Sequence, residues 1–127
     1  MRMYIKSVMV EDQDKAREFY TKVLGFKIKH DIPMGEHSWL TLVSPDDSGD
    51  VELALEPSAY PAAKAMQESL MKDGIPWTAF SVTDMAAEHA RLEAAGVEFT
   101  MPPKDMGDFK MAIFNDTCGN LIQLIEQ

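Results

Sequence analysis

The chain has 127 residues, of which 46% are hydrophobic and 26% are charged, and this predicts one domain with a core that needs no disulfide bonds. Its formal net charge of −9 argues against a nucleic-acid partner, because phosphate contacts require clustered lysines and arginines. No apolar run reaches the roughly 18 residues of a membrane helix, and no secretory signal is recognisable. We therefore expect a cytoplasmic protein with no membrane partner.

The first half of the chain predicts a strand, a helix and three further strands. Tyr4–Val10 alternates in the manner of a strand, and Asp12 has a side chain typical of a helix N-cap. The helix should end at Gly25, since glycine tolerates the backbone of a helix C-terminus. Its predicted buried stripe is Ala16, Phe19, Tyr20, Val23 and Leu24. The later strands are predicted at Gly25–His30, His37–Val43 and Val51–Leu55, with a turn containing Pro33 between the first two.

The second half repeats this order after a helical connector at about residues 58–74. The apolar positions of the connector are Ala59, Ala63, Met66 and Leu70. Asp84 precedes the second helix, Met85–Ala95, as Asp12 precedes the first. The strands are predicted at Pro76–Val82, Gly96–Thr100, Phe109–Phe114 and Leu121–Ile125, with a turn at Pro102-Pro103. This repeat predicts an α+β fold of two βαβββ modules, about residues 1–57 and 75–127, that form a cleft.

Strand alternation predicts which side chains face the cleft. A helix needs an apolar sheet face to pack on, so one set of side chains should lie under it: Val51, Leu53 and Leu55. The alternate set then faces the cleft: Glu52, Ala54 and Glu56. The same argument places His37, Trp39 and Gln123 there, with Met9, Met34 and Trp77 at or near it.

Three motifs carry a resemblance to a known family. Val10-Glu11-Asp12 ends the first strand, Leu24-Gly25-Phe26 ends the helix, and Asp116 to Asn120 contains a Gly-Asn turn before the last strand. With Phe19-Tyr20 inside the helix, the chain resembles the vicinal oxygen chelate superfamily, which includes glyoxalase I, extradiol dioxygenases and bleomycin-resistance proteins. The resemblance implies the paired βαβββ fold, whereas the activity stays open because one fold hosts many chemistries.

The resemblance also implies four metal-ligand positions, one on each of four strands. These positions hold Ile5, Glu52, Trp77 and Gln123. Isoleucine and tryptophan cannot coordinate a metal, and a neutral amide is a poor ligand beside carboxylate or imidazole. We therefore expect no metal and no cofactor.

Other side chains offer weaker alternatives. A relocated metal site would need His37, Glu52 and Glu56. His30 is interpreted as a solvated pair with Asp31, His89 as an exposed or half-exposed helix residue and Cys118 as a small turn residue. The acidic run Asp46–Asp50 is interpreted as a hairpin turn, since it lacks the spacing of a calcium loop.

The residues that remain favour binding over catalysis. Tryptophan faces beside a carboxylate attract flat or cationic organic molecules. The preferred prediction is a metal-free binding protein in which Trp39 and Trp77 stack on the ligand, while Glu52 and Gln123 orient its polar groups. His37, Met9 and Ile5 complete this predicted site. Two alternatives stay open: an enzyme of the glyoxalase, lyase or dioxygenase type with relocated ligands or with Glu52 as general base, and a structural or regulatory module.

The predicted edge strands bear on assembly. Lys27, Lys29 and Glu98 place charge on them, and charged edges discourage open-ended strand pairing. The resemblance implies pairing of two chains. We expect a closed homodimer that buries more than about 1,000 Å².

Overall fold

The computed structural model describes residues 1–45 and 51–127. It divides into two compact units, Met1–Ala65 and Met66–Gln127. Unit 1 contains β1 (Ile5–Val10), α1 (Gln13–Glu18), a π-helical turn (Phe19–Val23), β2 (Lys27–Met34), β3 (His37–Val43) and β4 (Glu52–Pro57). Helix α2 (Pro61–Lys72) crosses the boundary. Unit 2 continues with β5 (Thr78–Ser81), α3 (Met85–Ala94), β6 (Phe99–Asp105), β7 (Lys110–Asn115) and β8 (Leu121–Glu126). The α+β class and the repeated βαβββ order are confirmed.

The sheet of unit 1 has the strand order β1-β4-β3-β2, with β1 parallel to β4 and the other pairs antiparallel. Its helix starts where the sequence predicts, because the Asp12 carboxylate accepts the backbone N–H of Asp14 at 2.9 Å and of Lys15 at 3.2 Å. The buried side chains between helix and sheet are Val8, Val10, Ala16, Phe19, Tyr20, Leu40, Leu42 and Leu55. They form the apolar core on the helix side of this sheet.

The sheet of unit 2 has the equivalent order, β5-β8-β7-β6. Asp84 caps α3 by accepting the backbone N–H of Ala87 at 3.0 Å. The turn before β8 is built around the fully buried Asp116, whose carboxylate accepts the backbone N–H groups of Cys118 at 2.7 Å and Asn120 at 2.9 Å. The Asp-x-x-Gly-Asn motif is therefore a structural turn that satisfies its own buried polar groups.

Two predicted turns are wrong, because their prolines lie inside strands. Pro33 belongs to β2 and pairs with Ser38 of β3, while Pro102 and Pro103 lie within β6. Both strands are at the edge of their sheets, where a proline removes no ladder hydrogen bond. A register irregularity between Met101 and Lys104 accommodates the prolines of β6, whereas the irregularity of β2 lies between Ile28 and His30, away from Pro33. Both strands extend beyond their predicted ends.

The connector helix is present, but its predicted buried face is wrong at two positions. Ala59 and Met66 are exposed, whereas Gln67 is 2% exposed. The Gln67 side chain donates to Asn120 Oδ1 at 3.1 Å, so a polar contact with the buried turn decides which face of α2 is covered. None of the helices in residues 1–45 and 51–127 is long and apolar enough to span a membrane. The predicted turn at Asp46–Asp50 lies outside the described residues.

Candidate ligand-binding site

The register of unit 1 brings several predicted site residues together on the sheet face opposite α1. Ile5 is the cross-strand neighbour of Glu52, and Met9 is the neighbour of Glu56. Thr41 pairs with Ala54, so strand alternation puts Trp39 and His37 of β3 on this same face. Glu52, Ala54 and Thr41 are buried on this face, whereas Met9, Trp39 and Glu56 at its other end are half-buried.

A pocket of about 460 Å³ lies at the end of this face where β1, β3 and β4 approach α2. It is lined by Met9, Met34, His37, Ser38, Trp39, Glu56, Pro57, Tyr60 and Ala63. All of these residues belong to unit 1. The volume is within the range of roughly 300–1,000 Å³ that is typical of small-molecule sites.

The pocket combines aromatic and thioether surface with one carboxylate. Trp39 and Tyr60 supply the large aromatic groups, and Met9 adds adaptable apolar surface. Glu56 is the one acidic side chain in the lining, which contains no lysine or arginine. A pocket of this composition favours a flat organic molecule and, through the carboxylate, one that carries a positive charge.

Glu52 faces a different environment from Glu56. Its carboxylate is 1% exposed, and Lys29 Nζ lies 2.9 Å from Oε1. The Lys29 ammonium holds the pKa of Glu52 below its ordinary value of 4.5; burial opposes this shift, and the Thr41 hydroxyl and His30 reinforce it. The Glu52 carboxylate is therefore ionised, and the Lys29 ammonium balances its charge. Glu52 is not among the residues that line the pocket.

The predicted pair of His30 with Asp31 is wrong. Asp31 instead receives two hydrogen bonds from the Arg17 guanidinium, at 2.8 and 3.1 Å, and this contact raises the pKa of Arg17. His30 Nε2 lies 4.0 Å from the Glu52 carboxylate. His30 pairs in register with Thr41, on the face of Glu52, and Asp31 pairs with Leu40, on the face of α1. Alternation therefore gives His30 and Asp31 different partners.

The other predicted site residues lie in unit 2. Gln123 is half-buried beside Ala79 and Ile113 in the register, and its side-chain N–H group donates to Met111 Sδ at 2.8 Å. Trp77 is half-buried just before β5, where its backbone N–H donates to the Leu121 carbonyl at 2.8 Å. Neither residue lines the pocket of unit 1.

The donor set at the family's metal positions does not fit a divalent cation. In unit 1 the two positions hold Ile5, which has no donor atom, and Glu52, whose carboxylate is paired with Lys29. In unit 2 they hold Trp77 and Gln123, which offer an amide at most. Across residues 1–45 and 51–127, no three His, Cys, Asp or Glu side chains are grouped so that they could hold a metal ion.

Sequence reasoning missed Tyr60, which lines the pocket, and Gln13, whose side chain hydrogen-bonds to Ser38 and Leu55. Tyr60 precedes α2 and lines the pocket, although its side chain is 73% exposed. Its signal was an aromatic residue between two prolines, Pro57 and Pro61, in a short connection. Gln13 gave no signal, because a glutamine in a first helical turn is ordinary on a solvated surface.

Comparisons with known proteins agree with this architecture. The chain is 50% identical to YurT of Bacillus subtilis (strain 168) over 127 residues, which is the whole of both chains. The crystal structure of UcmS2 matches with a TM-score of 0.86 at 31% identity, covering 100% of this chain and 98% of that one. TnmS3, described as an antibiotic binding protein from Streptomyces sp. CB03234, matches with a TM-score of 0.78 at 28% identity, covering 99% of this chain and 95% of that one.

The sequence also matches the model of one protein family over most of its length. The model of the Glyoxalase/Bleomycin resistance protein/Dioxygenase superfamily matches residues 4–124, from before β1 into the last strand, β8. The predicted resemblance is confirmed. The chain belongs to the Glyoxalase/Bleomycin resistance protein/Dioxygenase superfamily.

Proposed function

We propose that this protein binds, without a metal ion, a small aromatic organic molecule that carries a positive charge. The observation that carries the proposal is the presence of Trp39 and Glu56 in one pocket of about 460 Å³. Trp39 stacks on the ligand, Glu56 faces its positive charge, and Tyr60 covers its outer side. An indole face and a carboxylate attract the same ligand by cation–π and charge interactions.

Two further observations support binding as the function. The neighbour TnmS3 is described as an antibiotic binding protein, so a protein with this fold binds a small molecule. The formal net charge of −9 also favours the approach of a cation over that of an anion.

We assign the contact with the positive charge of the ligand to Glu56 and not to Glu52. The Glu52 carboxylate already has Lys29 at 2.9 Å, so a ligand cation would have to displace that lysine. The ligand contacts predicted for Ile5, Trp77 and Gln123 stay predictions apart from this pocket, since none of the three lines it. The homodimer is also part of the proposal, and light scattering would test it.

An enzyme that uses Glu52 as general base is the weaker candidate. A general base works best with a pKa near the working pH, whereas Lys29 lowers the pKa of Glu52 below its ordinary value. The buried position of the carboxylate also gives a substrate proton little access to it.

The proposal is tested by calorimetric titration with three probes at pH 7.5. N-methylquinolinium is a flat cation, quinoline is its neutral counterpart, and cyclohexyltrimethylammonium is a cation without an aromatic ring. We expect the flat cation to bind most tightly. Trp39→Ala should weaken its binding by about 1 kcal/mol, or roughly fivefold, because stacking is lost.

Charge variants separate the role of Glu56 from the overall acidity of the chain. Glu56→Gln should remove the preference for N-methylquinolinium over quinoline, while Glu98→Gln, an exposed carboxylate in unit 2, should keep it. Equal effects of the two variants, or no binding of any probe at millimolar concentration, would contradict the proposal. The single-tryptophan variants Trp39→Phe and Trp77→Phe then show which indole the ligand quenches.

A further inference from the structure

The regular pairing of β3 with β4 stops before these strands reach the pocket. The two strands pair through Thr41 with Ala54 and Leu42 with Leu53. Continued in the same register, Ser38 would face Pro57. Proline has no backbone N–H, so it cannot donate to the Ser38 carbonyl as an antiparallel ladder would require.

The side chain of Gln13 supplies the missing groups. Its Oε1 accepts the backbone N–H of Ser38 at 2.9 Å, and its Nε2 donates to the Ser38 carbonyl at 2.8 Å. The same Nε2 donates to the Leu55 carbonyl at 2.8 Å. One carboxamide from the first turn of α1 therefore bridges the ends of β3 and β4, two segments that lie 25 and 42 residues away in sequence.

Each bridged residue is followed directly by a residue of the pocket. Trp39 follows Ser38, and Glu56 follows Leu55. Because Ser38 and Leu55 are held by one amide group, the spacing of the two strand ends is fixed by its geometry. That spacing sets the distance between the aromatic wall and the carboxylate of the pocket.

We infer that Gln13 is a positioning residue that sets the width of the ligand pocket by spanning β3 and β4. It is not among the residues that line the pocket, and it acts through the backbone at Ser38 and Leu55. Its relevance to binding rests on the proposed function, whereas its effect on the strand ends does not. The two can therefore be measured separately.

The structural measurement uses no ligand. In a Trp77→Phe background, the remaining indole is Trp39, and its acrylamide quenching reports how open the pocket is. Exchange of the Ser38 amide hydrogen by NMR reports the bond to Gln13. We expect Gln13→Leu, which removes the donor and the acceptor at similar size, to accelerate Ser38 exchange about tenfold and to raise quenching of Trp39.

Gln13→Glu covers the case in which Gln13→Leu does not fold. An acidic residue in the first turn of α1 favours the helix, yet its carboxylate cannot donate to the Ser38 and Leu55 carbonyls and repels both. We expect the folded Gln13→Glu protein to show increased Trp39 quenching at pH 7.5. Unchanged quenching and unchanged Ser38 exchange in the folded variants would overturn the inference.

Gln67→Leu is the matched control. Gln67 also extends from a helix and bridges backbone and side chain, at Cys118 and Asn120, but it does so in unit 2. Its loss should destabilise the protein and leave Ser38 exchange and Trp39 quenching unchanged after correction for global stability. An equal response in Gln67→Leu would show a general loss of stability and would also overturn the inference.

Binding of N-methylquinolinium then links the positioning role to function. Gln13→Leu should weaken it by about fivefold or more, while Gln67→Leu should change it by less than about twofold. If the native protein binds none of the probes but Gln13→Leu still opens the strand ends, the positioning role stands and the proposed ligand class fails. If the native protein binds and Gln13→Leu binds equally well, the positioning role fails alone.

Discussion

Corresponding strands of the two units, β4 and β8, carry different polar side chains on the same face of the sheet. Glu52 of β4 and Gln123 of β8 each lie on the strand that pairs in parallel with the first strand of its unit. Glu52 is buried and paired with Lys29, whereas Gln123 is half-buried and donates to the Met111 sulfur. The repeat thus preserves the apolar core face, while the opposite face carries an ion pair at Glu52 in unit 1 and a neutral amide at Gln123 in unit 2.

This difference predicts how much the stability of each unit depends on the contact at its polar side chain. A buried carboxylate needs its cation, because an unpaired buried charge is costly. A half-buried amide beside a thioether loses little when its contact is removed, since sulfur is a weak acceptor. The comparison can be tested by removing each contact separately.

The largest change in the free energy of unfolding is expected from Lys29→Met. This change leaves the Glu52 carboxylate buried without its lysine and should lower the free energy of unfolding by about 1–3 kcal/mol. Urea denaturation at pH 7 measures it. Adding Glu52→Gln should recover much of the loss, because the amide has no charge to compensate. If the double variant is as unstable as the sum of the single variants, the two side chains are not coupled.

A smaller change in the free energy of unfolding is expected when the pH is lowered. Because Lys29 lowers the pKa of Glu52 below 4.5 in the folded state, the unfolded chain binds its proton first as the pH falls. The stabilisation by Glu52 is therefore complete above about pH 4.5 and is lost as the pH falls through the lower folded pKa. Its slope cannot exceed about 1.4 kcal/mol per pH unit.

The difference between the native protein and Glu52→Gln isolates this group from the other carboxylates. Urea denaturation at steps from pH 7 to pH 3 should give a constant difference in stability near neutrality and a shrinking one in acid. A difference that does not change with pH would show that the pKa of Glu52 is the same in both states.

The fold could be predicted because local rules and core packing agree along the chain. Asp12 and Asp84 cap the helices as predicted, and His37–Val43 forms the third strand with the predicted bounds. The edge strands were less predictable, because Pro33 is disfavoured in a strand interior yet tolerated at a sheet edge. That exception depends on the tertiary position of the strand.

The site could be predicted only as a face of the sheet. Alternation identified the face that carries Trp39 and Glu56, but it could not separate Glu56, which lines a pocket, from Glu52, which is buried under Lys29. Lys29 lies 23 positions before Glu52 in sequence, and a register irregularity in β2 between Ile28 and His30 brings it across the sheet. Such irregularities leave no periodic signal.

The smallest effect is expected from Gln123→Met in unit 2. Methionine has a similar length and shape, so packing is retained and one hydrogen bond to a weak acceptor, Met111 Sδ, is lost. The free energy of unfolding should fall by less than about 1 kcal/mol, and the change should be the same at pH 7 and pH 4, because no ionisable group is altered. A loss as large as that of Lys29→Met would mean that Gln123 satisfies buried polar groups of unit 2, and the contrast between the two sheet faces would then fail.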